Sequence, residues 1–136
     1  MTQDQAAAAV KRIVVVGGVA GGMSAAARLR RLDEHAAIVV LERGPDVSFA
    51  NCGLPYHVGG VIEKESSLLV ADAETFRSQF AVDARTGCDA IGISPDKKTV
   101  DLKNLETGEV TTESYDKLVL SPGAASIRPP LPGIDL

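Results

Sequence analysis

Runs of apolar residues separated by turn-forming residues dominate the first part of the chain. Residues 13–16 form a β-branched run that ends at glycine, which is typical of a buried parallel strand. Residues 20–32 predict a helix, in which Ala25, Leu29 and Leu32 recur at helical spacing. A second buried strand is predicted at residues 37–41. The order strand, helix, strand predicts a βαβ unit with a right-handed crossover and a parallel pair of strands.

The second half of the chain alternates shorter strands with polar turns. Asp72 is placed to cap a helix over residues 73–79, and a third strand follows at residues 81–85. Three short strands, separated by turns, are predicted at residues 90–94, 99–103 and 110–113. This spacing is typical of an antiparallel meander. One more apolar strand at residues 117–121 completes an α/β fold, with a Rossmann-like βαβ unit in a parallel sheet and an additional antiparallel β-meander.

Composition and charge exclude several classes of protein. The chain has 136 residues, of which 45% are hydrophobic and 4% aromatic, so we expect an ordered domain with an aliphatic core. The net charge of −4 argues against a nucleic-acid partner. Two cysteines are too few for a disulfide-rich secreted scaffold, so a cytoplasmic location is expected. The uncharged run at residues 13–27 is shorter than the roughly 20 residues that span a membrane, so no membrane partner is expected.

A glycine-rich loop at residues 17–22 follows the first strand. It precedes a helix N-terminus, whose unpaired N–H groups and positive dipole suit a pyrophosphate. Gly17 permits a tight turn and Gly22 permits close packing of helix on strand, but Val19 replaces the middle glycine of the G-x-G-x-x-G motif. Glu42 ends the second strand, where an acid accepts hydrogen bonds from a ribose 2′-OH. The alternative is a loop that only turns the chain, with Glu42 as a solvated strand end.

Cys52 is the candidate redox residue. It precedes Pro55, which favours the first turn of a helix, and a helix N-terminus stabilises a thiolate for nucleophilic attack. Cys88 lies far along the chain, so a redox unit would contain one cysteine, oxidised either as a mixed disulfide with an external thiol or as a sulfenic acid. The alternative for Cys52 is a buried structural thiol, which is the role we expect for Cys88. His57 is either a base or, as we expect, a solvent-facing or hydrogen-bonded loop residue.

Four segments occur in an order that resembles one family: VVVGGVAGGMSAAARLRRL, LERG, SFANCGLPYHVGG and YDKLVLSPGA. Together they closely resemble the flavin-dependent pyridine nucleotide–disulfide oxidoreductases. Within these, the chain is similar to the single-cysteine branch of coenzyme A–disulfide reductases and related NADH oxidases, from about Lys11 to the C-terminus. The loop with Val19 in third place is similar to this branch's own form. Asn51 before the cysteine and Leu-Pro-Tyr after it favour the coenzyme A reductases over oxidases and peroxidases.

The resemblance implies an FAD site. The FAD pyrophosphate would lie along the glycine loop, the adenosine ribose on Glu42, and the flavin ring against Cys52. Arg43 would lie beside the adenine and Ala90 would offer backbone to it, while residues 121–123 match the family's second flavin-contacting segment. The implied cofactor-binding residues are Gly17, Val19, Ala20, Gly21, Gly22, Glu42, Arg43, Ala90, Ser121 and Gly123. No metal site is expected.

The resemblance also implies a coenzyme A groove and a reaction. The implied groove residues are Ser24, Arg28, Arg31, Ser48 and Asn51. Two arginines facing a phosphorylated substrate are electrostatically favourable, although a solvated basic face is the alternative. In such enzymes NAD(P)H reduces FAD, and FAD reduces the cysteine. The thiolate of Cys52 would attack coenzyme A disulfide, or a related small disulfide or persulfide, and hold one half as a mixed disulfide.

Members of this family are several times longer than this chain. We therefore expect a disordered leader at residues 1–10 and the N-terminal part of an FAD-binding domain at 11–126. Residues 127–136 would form a connector toward an absent NAD(P)H-binding domain. The full-length parent is expected to be a homodimer, and this portion alone to be inactive. The alternatives are a portion of an NADH oxidase or peroxidase that uses a Cys52 sulfenic acid, and a non-catalytic FAD- or nucleotide-binding module.

Overall fold

Three α-helices and seven strands occur in the part of the chain that the computed structural model describes, residues 10–125 and 127–134. The first five elements are β1 (Arg12–Val16), α1 (Ala20–Leu32), β2 (Ala37–Leu41), α2 (Leu54–Val58) and α3 (Ala73–Phe80). The remaining five are β3 (Val82–Arg85), β4 (Cys88–Ser94), β5 (Thr99–Asn104), β6 (Val110–Ser114) and β7 (Lys117–Leu120). Two short 3-10 helices lie at Asn51–Gly53 and Glu65–Leu68. The predicted strands and helices are confirmed, with small differences in their bounds. The leader expected at residues 1–10 lies outside the described residues except for its last position.

Four strands form a parallel sheet in the order β3-β2-β1-β7. The predicted βαβ unit is confirmed, because α1 connects β1 to β2 and Val14 lies opposite Val39 in the parallel pair. On its other side β1 pairs with β7, where Val14 lies opposite Leu118. The strand order therefore reverses beside β1, and open α/β sheets bind ligands outside the carboxyl ends of their strands at such a point.

Both faces of the parallel sheet are covered, which explains why its strands are almost entirely apolar. On one face, Val15 belongs to a buried cluster with Met23 of α1 and Phe76 of α3. The other face is covered by the antiparallel meander, a second sheet in the order β4-β5-β6. There Val14 of β1 belongs to a cluster with Val100 of β5. The core is thus mainly aliphatic on both faces, as the low aromatic content predicts, with Phe76 as its buried aromatic residue among those described.

The buried face of α1 combines two small residues with one methionine. The helical spacing of Ala25, Leu29 and Leu32 predicts the helix correctly but not its buried face, since Leu32 is 66% exposed. The buried residues of α1 are instead Gly22, Met23 and Ala26. Small side chains on this face let the helix approach the sheet closely.

An ion-pair cluster connects the meander to the parallel sheet. Glu113 of β6, whose side chain is only 13% exposed, pairs with Arg12 of β1 and, at 2.7 Å, with Arg85 of β3. Arg85 also pairs with Asp83 at 2.7 Å. Burial acts to lower the pKa of Arg85, but hydrogen bonds to the carboxylates of Asp83 and Glu113 outweigh it and raise the pKa above its ordinary value. Arg85 therefore keeps its positive charge across the pH range in which proteins are folded.

Asp72 caps α3 as predicted. Its Oδ1 accepts a hydrogen bond from the backbone N–H of Thr75 at 2.7 Å. This hydrogen bond lowers the pKa of Asp72 below the ordinary value of 3.8. Because the pKa is lower in the folded than in the unfolded chain, the charged cap stabilises the fold above about pH 4, and this contribution is lost as pH falls through the folded pKa.

We expect Asp72→Asn to remove this pH dependence, since asparagine still caps the helix but does not titrate. Urea unfolding from about pH 6 down to about pH 2.5 measures it. The free energy of unfolding of the unmodified chain should fall relative to that of the variant only below about pH 4. A difference between the two proteins that stays constant over this range would contradict the prediction.

Candidate functional site

The loop between β1 and α1 is closely approached by other backbone segments. Gly17 has a φ of +95°, in the left-handed region that favours glycine. A Cβ on Gly17 would collide with the carbonyl oxygen of Ser121, and a Cβ on Gly22 would collide with the carbonyl oxygen of Gly17. The tight turn at Gly17 and the close packing at Gly22, both expected from the sequence, are therefore observed.

The N-terminus of α1 offers free amide donors. Its N-cap residue is Val19, whose side chain makes no capping hydrogen bond, and no acidic residue lies in the first turn. The backbone N–H of Met23 donates to the carbonyl of Val19 at 3.0 Å. The N–H groups of Ala20, Gly21 and Gly22 consequently have no acceptor among the described residues. Unpaired donors at a helix N-terminus bind anions, so this end of α1 suits a pyrophosphate.

A cleft of about 230 Å³ opens beside the loop, at the carboxyl edge of the parallel sheet. Four predicted nucleotide-binding residues line it, namely Gly17, Glu42, Arg43 and Ala90. We call this the nucleotide cleft. Sequence reasoning missed Cys88 and Asp89 among its lining residues, because β4 begins at Cys88 rather than at Ala90. Cys88 was expected to be a buried structural thiol, and it is instead half-buried in the wall of this cleft.

Glu42 is held by both its main chain and its side chain. Its N–H donates to the carbonyl of Arg85, and its own carbonyl accepts from the N–H of Cys88, each at 2.9 Å. The carboxylate accepts the N–H of Gly18 at Oε2 and the N–H of Gly44 at Oε1, each at 2.6 Å. Glu42 is therefore not a solvated strand end. Since a carboxylate has about four acceptor positions, room remains for a ribose diol.

The residues that follow β7 contact the glycine-rich loop at residues 17–22. The N–H of Ser121 donates to the carbonyl of Val16 at 2.8 Å, which extends the pairing of β7 with β1. Its hydroxyl lies beside Gly21, where an added Cβ would stand 2.5 Å from Oγ. Gly123 has a φ of +74° and does not line the nucleotide cleft, whereas its neighbour Pro122 does.

Cys52 opens into a second cleft, of about 370 Å³, which we call the thiol groove. Ser24 and Ser48, two of the implied substrate residues, line the same groove. The thiol of Cys52 is exposed and free, so it is not a buried structural thiol. It lies in the 3-10 helix directly before α2, and Pro55 falls in the first turn of α2 as expected. The rest of the groove is apolar and is formed by Val19, Ala20, Met23, Ala27, Phe49, Ala50, Val70 and Phe76.

Asn51 does not line the thiol groove with Ser24 and Ser48. It lines a third cleft, of about 330 Å³. Asn51 lines it together with Val19, Glu42 and Gly44. The nucleotide cleft and this cleft share Glu42, and this cleft and the thiol groove share Val19. Three openings therefore lie around one loop, and Val19 lies between the third cleft and the thiol groove.

Ser48 has a backbone conformation that is rare outside glycine, with a φ of 54°. Its N–H donates to the carbonyl of Gly18 at 2.8 Å, and its carbonyl accepts the N–H of Val70 at 3.3 Å. Strained residues of this kind persist where their surroundings fix them, and they are concentrated at functional sites.

The arginines of α1 have different surroundings. Arg28 and Arg31 are exposed, and within the described part of the chain their side chains have no hydrogen-bond or ion-pair partner. Neither lines the thiol groove. Arg30 instead donates to the carbonyls of Phe80 and Ala81, both at 2.8 Å, and so connects α1 to the end of α3. Arg30 is thus a structural arginine, whereas the side chains of Arg28 and Arg31 have no polar partner in residues 10–125 and 127–134.

His57 is hydrogen-bonded, as expected, but it lies in the last turn of α2 rather than in a loop. Its Nδ1 lies 2.7 Å from the carbonyl oxygen of Ile62. Within residues 10–125 and 127–134 no group of three or more histidine, cysteine or acidic residues is arranged to hold a metal ion. No helix in this part of the chain is long and apolar enough to cross a membrane.

Residues 11–136 match the pyridine nucleotide-disulphide oxidoreductase family, so the chain belongs to it. A coenzyme A disulfide reductase from Staphylococcus aureus (strain JH9) is 44% identical over 101 residues, which cover 74% of this chain and 23% of the relative. The reduced CoADR-RHD protein of Bacillus anthracis is 51% identical with a TM-score of 0.88, over 93% of this chain and 23% of that one. A NAD-dependent persulfide reductase from A. fulgidus is 38% identical with a TM-score of 0.86, over 91% and 23%. The chain thus spans 23% of the length of each of these relatives.

We expect Arg30→Ala to lower the free energy of unfolding by about 2 kcal/mol, because several carbonyl groups lose a charged donor. Arg31→Ala is the matched control, since it removes the same side chain from the next position without breaking a bond, and it should change the free energy by less than about 0.5 kcal/mol. Urea unfolding of the three proteins at neutral pH measures both effects. Equal destabilisation by the two substitutions would contradict the prediction that the hydrogen bonds of Arg30 stabilise the fold.

Proposed function

We propose that this chain is the FAD-binding and thiol-bearing portion of a longer flavoprotein disulfide reductase that uses NAD(P)H. Its substrate would be coenzyme A disulfide or a related low-molecular-weight disulfide or persulfide. The observation that carries the proposal is the exposed thiol of Cys52, which lies in a groove beside a loop built for a pyrophosphate. The coenzyme A disulfide and persulfide reductases among the similar proteins support the same substrate class.

The described residues fit an FAD. The free N–H groups at the start of α1 would hold its pyrophosphate, and the nucleotide cleft with Glu42 and Arg43 would hold its adenosine. A carboxylate at Glu42 accepts from ribose hydroxyls and disfavours a 2′-phosphate. When bound, a flavin takes hydride from a reduced nicotinamide and passes two electrons to a disulfide.

Cys52 is proposed as the nucleophile. Its thiolate would attack one sulfur of coenzyme A disulfide, forming an S–S bond to Cys52 while the second coenzyme A leaves as a thiolate that takes up a proton. Two electrons and one proton then cleave the mixed disulfide, releasing the other coenzyme A thiol and restoring the thiolate of Cys52. The exposure of Cys52 permits this attack.

The thiol groove and α1 would hold the rest of the substrate. Ser24 and Ser48 line the groove and offer hydroxyl groups, while its apolar wall suits an extended aliphatic arm. Arg28 and Arg31 follow Ser24 at four and seven positions along the helix, and so extend from the groove on one side of α1. Their free guanidinium groups suit phosphates. Asn51 is proposed to contact substrate from the neighbouring cleft.

The domain assignment belongs to the same proposal. Residues 11–126 would contribute to an FAD-binding domain, and residues 127–136 would lead to a nicotinamide-binding domain elsewhere in the longer protein. The longer protein is proposed to act as a homodimer in the cytoplasm. The family match and the 23% coverage of the relatives support the existence of further domains.

We expect coenzyme A disulfide to add one coenzyme A to the 136-residue chain, at Cys52, because its thiol is the more exposed of the two. Mass spectrometry of the intact chain and of its peptides measures the adduct. Cys88→Ser should keep the adduct and Cys52→Ser should lose it. An unmodified Cys52 that forms a sulfenic acid with hydrogen peroxide would instead favour the oxidase or peroxidase alternative.

We expect Arg28→Ala/Arg31→Ala to slow adduct formation by coenzyme A disulfide about tenfold, since two charges that attract phosphates are removed. The rate with the uncharged 2-hydroxyethyl disulfide should stay within about twofold, because the thiol itself is unaltered. Lys97→Ala/Lys103→Ala is the matched control, with the same loss of charge on the distant meander. Mass spectrometry of samples quenched at successive reaction times gives the rates. Equal slowing with both disulfides, or equal slowing in the control, would refute a phosphate-binding role.

A further inference from the structure

We propose that Glu42 is a positioning residue for the segment that carries Cys52, and that it acts through Gly18 and Ser48. The proposal concerns the chain without any ligand. It rests on the proposed function only in taking the nucleotide cleft as the place where a ribose binds. Its consequence is that the nucleotide cleft and the thiol groove are energetically coupled.

The contacts form a continuous path from one cleft to the other. The carboxylate of Glu42 accepts the N–H of Gly18 at 2.6 Å, and the carbonyl of Gly18 accepts the N–H of Ser48 at 2.8 Å. Glu42 lines the nucleotide cleft, while Ser48 and Cys52 line the thiol groove. Gly18 is buried between them and lines neither of these two openings. Gly18 therefore connects Glu42 to the thiol groove through its backbone N–H and its backbone carbonyl group.

Gly18 has little freedom to move away from this position. A Cβ placed on it would lie 2.8 Å from Cβ of Glu42 and 3.0 Å from Cγ1 of Val47. The backbone of Gly18 therefore lies close to the side chains of both Glu42 and Val47, the residue before Ser48. A displacement of the Glu42 carboxylate would therefore displace Gly18 and, through it, the segment at Val47.

Ser48 is the point at which such a displacement has most effect. Its left-handed backbone is strained for a residue with a side chain, so it depends on the bonds that hold it. Those bonds are the one from its N–H to Gly18 and the one from Val70 to its carbonyl. The next anchor along the chain is the N–H of Ala50, which donates to Leu68 at 2.8 Å, two residues before Cys52. Loss of the Glu42 contact would therefore release Ser48 and alter the presentation of the thiol.

A ribose diol in the nucleotide cleft would bond to the same carboxylate that fixes Gly18. Occupancy of the cleft and the reactivity of Cys52 would then be linked by one shared interaction, and linkage of binding free energies is reciprocal. A change at Glu42 should therefore have a measurable effect at the far end of the path, at the thiol of Cys52.

The test uses the 136-residue chain in a Cys88→Ser background, without nucleotide, so that alkylation by iodoacetamide reports Cys52 alone. Glu42→Gln and Glu42→Asp are compared with Glu63→Gln, which removes a charge from an exposed carboxylate outside the path. Amide hydrogen exchange is followed at Gly18, at Ser48 and at the core residues Val14 and Val40.

In Glu42→Gln we expect exchange at Gly18 and Ser48 to accelerate about tenfold, with core amides within about twofold of the unmodified chain. The alkylation rate of Cys52 should change by about threefold or more, and Glu42→Asp should show the same pattern. Glu63→Gln should change neither quantity.

Two results would overturn the proposal. The first is faster exchange at Gly18 with unchanged Ser48 exchange and unchanged alkylation, which would confine Glu42 to its own cleft. The second is uniform acceleration of all amides, including the core, in both Glu42 variants, which would make Glu42 a general stability residue. Neither result depends on coenzyme A disulfide, so failure of this proposal and failure of the proposed function are distinguishable.

Discussion

The close approach of backbone to backbone at the carboxyl ends of β1 and β7 is the constraint on which the rest of the site depends. Glycine at positions 17 and 22 leaves no side chain between these segments, so the first turn of α1 can lie against the sheet. Its amide donors then lie at the edge where the strand order reverses. Any side chain at either glycine would separate helix, loop and strand together. The aliphatic layers on both faces of the sheet hold the strands that make this approach possible.

The same loop also places two chemically different openings next to each other. On one side the sheet edge, Glu42 and the start of β4 enclose a polar cleft. On the other side α1, the segment after β2 and α3 enclose an apolar groove that contains the exposed thiol of Cys52. One short helix therefore serves two ligands in the proposed enzyme, with its N-terminus for one and its flank for the other. Arg30 connects the far end of this helix to α3 and keeps the flank in place.

The elements and much of the site could be predicted because their causes are local. The β-branched run of β1, the cap at Asp72 and the turn at Pro55 each follow from short-range preferences. Contacts that depend on the assembled fold could not be predicted. The difference between Arg30 and Arg31 arises from carbonyl groups at the end of α3, about 50 residues away. Cys88 enters the nucleotide cleft because of the place where the meander joins the sheet, and the strain at Ser48 arises from its bonds to Gly18 and Val70.

The pairing of β1 with β7 also determines when the phosphate site can form. Gly17 is made early in synthesis, but the backbone of Ser121 that lies against it follows only about 100 residues later. Until then β1 has a neighbour on one side only, and the loop lacks one of its walls. An emerging chain can therefore complete the βαβ unit long before it can hold a nucleotide. In the proposed enzyme, cofactor capture would be restricted to chains whose synthesis has passed β7, and a stalled or shortened product that ends before it would not hold flavin.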